Sequence, residues 1–324
     1  MKRLISIVLA LLLSLPAAAF AADGGEAAFQ QGIAALNGDG VAQSCETAAR
    51  WFFTSAQLGY MPAPYNIAQM YEKGEGMAQD YAQAAFWYEK AALQGSADAQ
   101  IALGELYWSG SGAAQDYVKA GAWFQLAADQ GSAEAEFYLG VLYSKGFGGT
   151  AQDDAAALFW YLKAANQGFA AAQFNLGVLY ETGRGVAKDL AQAAAWYEKA
   201  ALQGDASAQF NLGIYYDQGW GVKQDYNMAA YWYGMAAAQG HATAQFNLAA
   251  CYDQGWGVPQ DFTQAAYWFT QAARQGDSDA QYNLGVYFET GVGVAQDLDQ
   301  AKAWYNLAAA QGNADAEARL ADLR

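Results

Sequence analysis

A glycine returns about every 36 residues along this chain of 324, and that period restricts the fold more than any other feature. Gly59, Gly95, Gly131, Gly168, Gly204, Gly240, Gly276 and Gly312 each follow Gln or Leu. Only the step from Gly131 to Gly168 is longer, by one residue, at Gly148-Gly149-Thr150-Ala151. Trp51, Trp87, Trp123, Trp160, Trp196, Trp232, Trp268 and Trp304 keep the same register and account for eight of the eleven tryptophans. Self-similarity at this length marks stacked supersecondary units, none of which buries its apolar face alone.

Each unit reads as two helices. In Ala172-Gln-Phe-Asn-Leu-Gly-Val-Leu-Tyr180 the apolar residues Phe174, Leu176, Leu179 and Tyr180 recur at helical spacing. A Gly-x-Gly loop follows, as in Gly183-Arg184-Gly185. The second helix starts after a capping side chain: Ser44, Asp80, Asp116, Asp153, Asp189, Asp225, Asp261 or Asp297. Gln83, Gln192, Gln264 and Gln300 lie three residues on, which predicts a reciprocal capping box in four units. That helix closes at Gln-Gly, where glycine suits a left-handed turn. Ser96, Ser132, Asp205, Asp277 and Asn313 then fit as caps of the next first helix, while Phe169 and His241 break the rule. The expected fold is all-α: a solenoid of about eight helix pairs starting near residues 26, 63, 99, 135, 172, 208, 244 and 280. A closing helix over 316–324 covers the last pair. In each pair the tryptophan and its aromatic neighbour are expected to fill the wider gaps, and alanines such as Ala84, Ala91 and Ala92 to let helices approach.

The first residues read differently. Lys2-Arg3, an apolar run over 4–15 and Ala19-Phe20-Ala21 form a secretory leader with cleavage expected after Ala21. Residues 1–21 are therefore set apart from a solenoid over 22–324, and a periplasmic or secreted location is expected. The apolar run is short for a bilayer span, so no stable membrane insertion is expected once the leader is removed. The formal charge of −16 repels nucleic acid and anionic lipid at long range.

The phrase Ala-x-(Phe/Tyr)-Asn-Leu-Gly-x-x-Tyr-x-x-Gly-x-Gly-Val, then Asp-x-x-x-Ala-x-x-Trp-Tyr-x-x-Ala-Ala-x-Gln-Gly, resembles the Sel-one-like repeat (SLR), a relative of the tetratricopeptide repeat. The match spans about residues 26–324. The resemblance implies a right-handed α-solenoid whose first helices line a concave face. It also implies a non-enzymatic adaptor for protein complexes, signalling, envelope polysaccharide export or host contact. One cysteine-rich branch is associated with β-lactams. This chain departs from that branch, since Cys45 and Cys251 stand alone in their units at apolar register positions. Burial as small hydrophobes accounts for both.

No cofactor, metal or catalytic set is expected. His241 is the only histidine, Ser-x-x-Lys is absent, and Gly-x-Gly lacks the strand and Lys-Ser/Thr of a phosphate loop. The acidic loops do not space like a calcium loop. Candidate contact residues are of two kinds. Asn66, Asn175, Asn211, Asn247 and Asn283 share one first-helix position, and asparagine is a poor mid-helix residue. The resemblance places that position near the concave face, where such an amide holds a peptide; alternatively, it satisfies nearby backbone. The second kind departs from the chain's own consensus. Trp220, Trp256 and Phe147 sit between the loop glycines, where other units carry Glu75, Ser111, Arg184 and Val292. Trp108 replaces the acid found at Asp217 and Asp253, and that acidic pair is expected to form one patch with Trp220 and Trp256 for a partner with basic or apolar anchors. Tryptophan is enriched at binding hot spots, although each ring could instead bury itself locally. The expected partner is a protein or peptide. The alternative is an envelope glycan, and a β-lactam-directed enzyme is a more remote one.

Overall fold

The computed structural model describes residues 22–149 and 151–323; the expected leader lies outside them. Among the described residues there are seventeen α-helices and no strand. Contacts divide the chain into two compact units at Gln167/Gly168. The first unit holds α1 (Ala22–Asn37), α2 (Cys45–Gln57), α3 (Ala63–Lys73), α4 (Tyr81–Leu93), α5 (Ala97–Ser109), α6 (Tyr117–Asp129), α7 (Ala133–Lys145) and α8 (Asp154–Asn166). The second holds α9 (Ala170–Thr182), α10 (Leu190–Leu202), α11 (Ala206–Gln218), α12 (Tyr226–Ala238), α13 (Ala242–Gln254), α14 (Phe262–Arg274), α15 (Ser278–Thr290), α16 (Leu298–Ala309) and α17 (Ala314–Asp322). Within each unit, successive helices pair antiparallel-fashion through short loops and stack as solenoid repeats. The closing helix α17 lays Leu320 and Leu323 against the Tyr305 cluster of the last pair.

Capping sets the helix starts. From α5 onward, first helices begin about two residues earlier than the sequence pattern suggested, because the cap side chain just before them fixes the first turn. Ser96 Oγ, Asp205 Oδ1 and Asp277 Oδ1 accept from Ala99, Ala208 and Ala280 N–H. Second helices use aspartate: Asp80 Oδ1 accepts from Ala82 and Gln83 N–H at 2.9 and 3.0 Å. The reciprocal half of the expected capping box does not form. The cap's own N–H is already donated to the first helix of its pair, Asp80 to Tyr71 O and Asp261 to Tyr252 O, both at 2.9 Å. The residue before the cap closes the other end of the loop. Gln79 and Gln224 donate their amides to the carbonyls of Glu72 and Asp217 at 2.7 Å. Loop glycines have separate reasons: Gly219 ends α11 in the left-handed region (φ +71), whereas Gly221 lies directly against the Leu190 backbone and leaves no room for a Cβ.

The structure separates the roles of the two aromatics that were expected to share one gap. The Tyr or Phe after each Trp fills its own pair: Tyr88, Phe124, Tyr161, Tyr197, Tyr233, Phe269 and Tyr305 are all buried. Its ring lies against a small first-helix residue, glycine in most pairs and Ala68 or Ala249 beside Tyr88 and Phe269. A Cβ on Gly213 would stand 2.6 Å from the Tyr233 ring, so small size is what that position demands. The Trp instead packs where its pair meets the preceding one. Trp123 of α6 joins the cluster of α4 and α5, and Trp232 of α12 joins that of α10 and α11. Trp51 is largely exposed and Trp87 half-buried, so the ladder is not uniformly core.

A buried polar ladder runs beside this core. Gln100, Gln173, Gln209, Gln245 and Gln281 occupy one first-helix position and are almost fully buried. Gln209 donates its amide to Ala201 O of the preceding helix at 3.0 Å, and its oxygen accepts from Gln239 at the end of its own pair at 2.8 Å. Gln245 repeats this with Ala237 O and Gln275. Gln100, Gln209, Gln245 and Gln281 thus each satisfy a carbonyl left over at a helix C-terminus and tie two pairs together. In the first unit Glu136 replaces it. That buried carboxylate accepts from Gln167 at 2.8 Å and from Lys163 Nζ at 2.7 Å.

Candidate functional site

The loop aromatics separate into two groups. In the first unit, Trp108 and Phe147 fold inward onto Tyr117, Phe124 and Tyr138. Ring centroids lie 5.6 Å apart for Trp108–Phe147, 5.1 Å for Trp108–Tyr117 and 4.5 Å for the stacked Tyr117–Phe147 pair. Trp108 stands where Glu72 and Glu181 accept hydroxyl bonds from Tyr88 and Tyr197. The partner ring of its own pair is Phe124, which has no hydroxyl to offer, so an acid there would lack its bond. In the second unit, Trp220 and Trp256 remain 43 % and 50 % exposed. Trp220 meets Tyr215 edge-on at 5.9 Å and Trp256 stacks on Tyr226 at 6.3 Å. Each uses one face internally and offers the other to solvent.

The acids beside them are engaged. Asp253 accepts the Tyr287 hydroxyl, whose ionisation is pushed up by burial and then by that bond. Asp217 accepts from Gln218 at 2.7 Å. The asparagine ladder is half-buried throughout. Asn66 and Asn283 donate to the carbonyls four residues back, Pro62 and Asp279, at 3.2 and 2.8 Å. Asn211 and Asn247 hold the same position on α11 and α13, on the helices that pack against Tyr197 and Tyr233. Asn175 holds the same position on α9. These amides serve local groups and keep part of their surface open.

Cys45 and Cys251 are free thiols. Burial, and then Asp217, push the Cys251 thiol up to about 12, which leaves it unreactive near neutrality. Among the described residues no group of three or more His, Cys, Asp or Glu is placed to hold a metal ion. No described helix is long and apolar enough to cross a membrane.

His241 caps its helix although it departs from the Ser, Asp or Asn of the other units. Its Nδ1 accepts from Ala244 N–H at 3.2 Å, and its ring stacks on Phe210 at 4.5 Å. Only a neutral imidazole can accept there, and burial lowers its pKa below 6.5. A base with a lowered folded pKa contributes full stability above its unfolded pKa. That contribution fades as pH falls from about 6.5 through the folded value. Melting at about pH 7.5 and pH 5.5 is expected to show a loss of about 1 kcal/mol, the worth of a cap, that His241→Asp reduces. An equal loss in both proteins would refute the assignment.

The sequence pattern missed a groove in the second unit. It lies between α12 and α14 over Leu248 and Tyr252 of α13, with a volume of about 490 Å³. Its signal was present but small: α12 carries no charged residue.

Eight copies of the Sel1 repeat match the chain, over residues 25–60, 62–96, 97–132, 133–169, 170–205, 206–241, 242–277 and 278–313. The chain belongs to the Sel1 repeat family. It is similar to a crystal structure of a protective antigen present in uropathogenic Escherichia coli strains that displays an SLR fold. That likeness has 38 % identity and a TM-score of 0.85, and covers 91 % of this chain. The chain spans 63 % of that longer protein. It is also similar to a Sel1 repeat protein from Oxalobacter formigenes, with 32 % identity and a TM-score of 0.74 over 99 % of this chain and 91 % of the other. No curated protein matches the chain. The Sel1 repeat is a non-catalytic, tetratricopeptide-like scaffold fold associated with protein–protein interaction.

Proposed function

We propose that the chain is an exported scaffold that binds a protein or an extended peptide along its first helices and the adjoining loops. The observation that carries this reading is the exposure of Trp220 and Trp256. The fold accepts Glu75, Ser111, Arg184 or Val292 at the same loop position, so packing does not demand an indole there. Exposed tryptophan desolvates much area with few rotors, which suits a hot spot. The half-open amides of Asn175, Asn211, Asn247 and Asn283 supply hydrogen bonds of the kind an extended backbone needs. Export to the periplasm or beyond is supported by the leader pattern at 1–21 and by the likeness to a protective antigen.

Placing a photoreactive phenylalanine analogue at 220 or at 256, in the cells that make this protein, tests the reading. Cross-linking to one discrete protein is expected at these positions and not at the buried Trp232. Cross-linking to glycan alone would favour the envelope-polymer alternative, and cross-linking to nothing would remove the loop patch.

A further inference from the structure

The outer side of α12 and α14 differs from every other second helix. Among the described helices α12 alone has no charged side chain, and α14 has only Arg274 at its last position. Tyr231 and Tyr267, one repeat apart, are each 53 % exposed. The groove between α12 and α14 is walled by Tyr231, Met235 and Trp268, and Asn227 and Gln264 also line it.

Two residues on α12 depart from the repeat in a way that opens and neutralises this groove. Gly234 stands where Glu89 and Glu198 stand elsewhere. A mid-helix glycine is unfavourable. At Gly213 the ring of Tyr233 excludes anything larger, but a Cβ on Gly234 would meet nothing nearer than Leu248 at 4.0 Å. Packing within the chain therefore gives no reason for this glycine, whereas a backbone approaching along the groove does. Met235 stands where Lys90, Lys163 and Lys199 hold their ammonium groups 4.3, 4.7 and 3.8 Å from the Trp ring of their own helix. The thioether removes that charge and adds an adaptable apolar wall.

We propose that this groove binds a proline-rich segment of another protein in the polyproline II conformation. The proposal rests on the reading of the chain as a peptide-binding scaffold and gives it a second site with a stated ligand class. Polyproline II makes no internal hydrogen bonds and leaves its carbonyls free, and proline has no N–H to satisfy. Such a segment needs flat apolar rings and a few donors, which Tyr231, Trp268, Met235, Asn227 and Gln264 provide. A second copy would bring its own net charge of −16 against the same charge. An uncharged segment meets an uncharged groove without that penalty.

Decaproline titrated into the full chain by calorimetry, with maltohexaose as comparison and sedimentation for self-association, tests this. Decaproline is expected to bind wild type and to bind Gly234→Glu plus Met235→Lys at least roughly tenfold more weakly. That variant restores the pattern of Glu89-Lys90, so its melting temperature is expected to be no lower. Trp220→Ala plus Trp256→Ala is expected to bind decaproline as wild type does, which keeps this site independent of the loop patch. The proposal is overturned by equal binding to the groove variant, by maltohexaose binding without decaproline, by no binding of either, or by a dimer that the groove variant abolishes.

Discussion

Replacing Trp232 by alanine is expected to cost about 3–5 kcal/mol, the usual penalty for deleting a buried large aromatic. The indole is 4 % exposed and lies among Ala200 and Ala201 of α10 and Leu212 and Tyr215 of α11. It is therefore a main apolar contact that ties α12 to the preceding pair. In a stacked array, stability is close to a sum of pair terms and neighbour terms, and this change deletes most of one neighbour term. Calorimetric melting is expected to shift by roughly 10 °C for a unit of this size, with hydrogen exchange rising first in α11 and α12. Trp256→Ala removes the same side chain from an exposed loop and is expected to stay within about 0.5 kcal/mol of wild type. Similar losses from both substitutions would contradict the division between stitching and surface tryptophans.

The second large effect is expected at Gln209. Gln209→Leu keeps the volume and the helix but removes the donor to Ala201 O and the acceptor for Gln239. Gln239 retains Gly204 O at 3.0 Å, so the main loss is the buried Ala201 carbonyl. A cost of about 2–3 kcal/mol in denaturant unfolding is expected. The exposed Gln218→Leu is the control and is expected to change little. The natural replacement in this ladder, Glu136, behaves oppositely. Glu136→Gln is expected to be neutral or stabilising, because a glutamine there donates to the preceding helix as Gln100 does to Ala92 O at 3.1 Å. A marked loss of stability in that variant would show that the Lys163 bridge, not the amide ladder, holds the position.

The period of the glycines and tryptophans made the helix pairs legible, because a repeat reports each structural position eight times. The caps were legible for the same reason. The glutamine ladder was equally periodic and yet escaped notice. A polar residue on a helix reads as solvated, and only the stacking of pairs reveals that Gln209 faces a helix end rather than water. Side-chain direction was the other gap. Trp108, Phe147, Trp220 and Trp256 look alike as departures from consensus, but the first two turn onto a neighbouring aromatic cluster and the last two do not. What decides between those outcomes is the identity of residues in the same pair and the next, such as Phe124 and Tyr138. The groove beside α12 was harder still. Gly234 and Met235 are single departures on one helix, and a missing Cβ signals an opening only when the space around it is known.

The most direct test of the scaffold reading is affinity capture from the envelope and surroundings of the cells that make this protein. Wild type would be compared with Trp220→Ala plus Trp256→Ala by mass spectrometry. The expected result is a discrete protein retained by wild type and lost by the variant, with both proteins melting alike. Retention of glycan alone, or of nothing, by wild type would contradict the protein-binding scaffold.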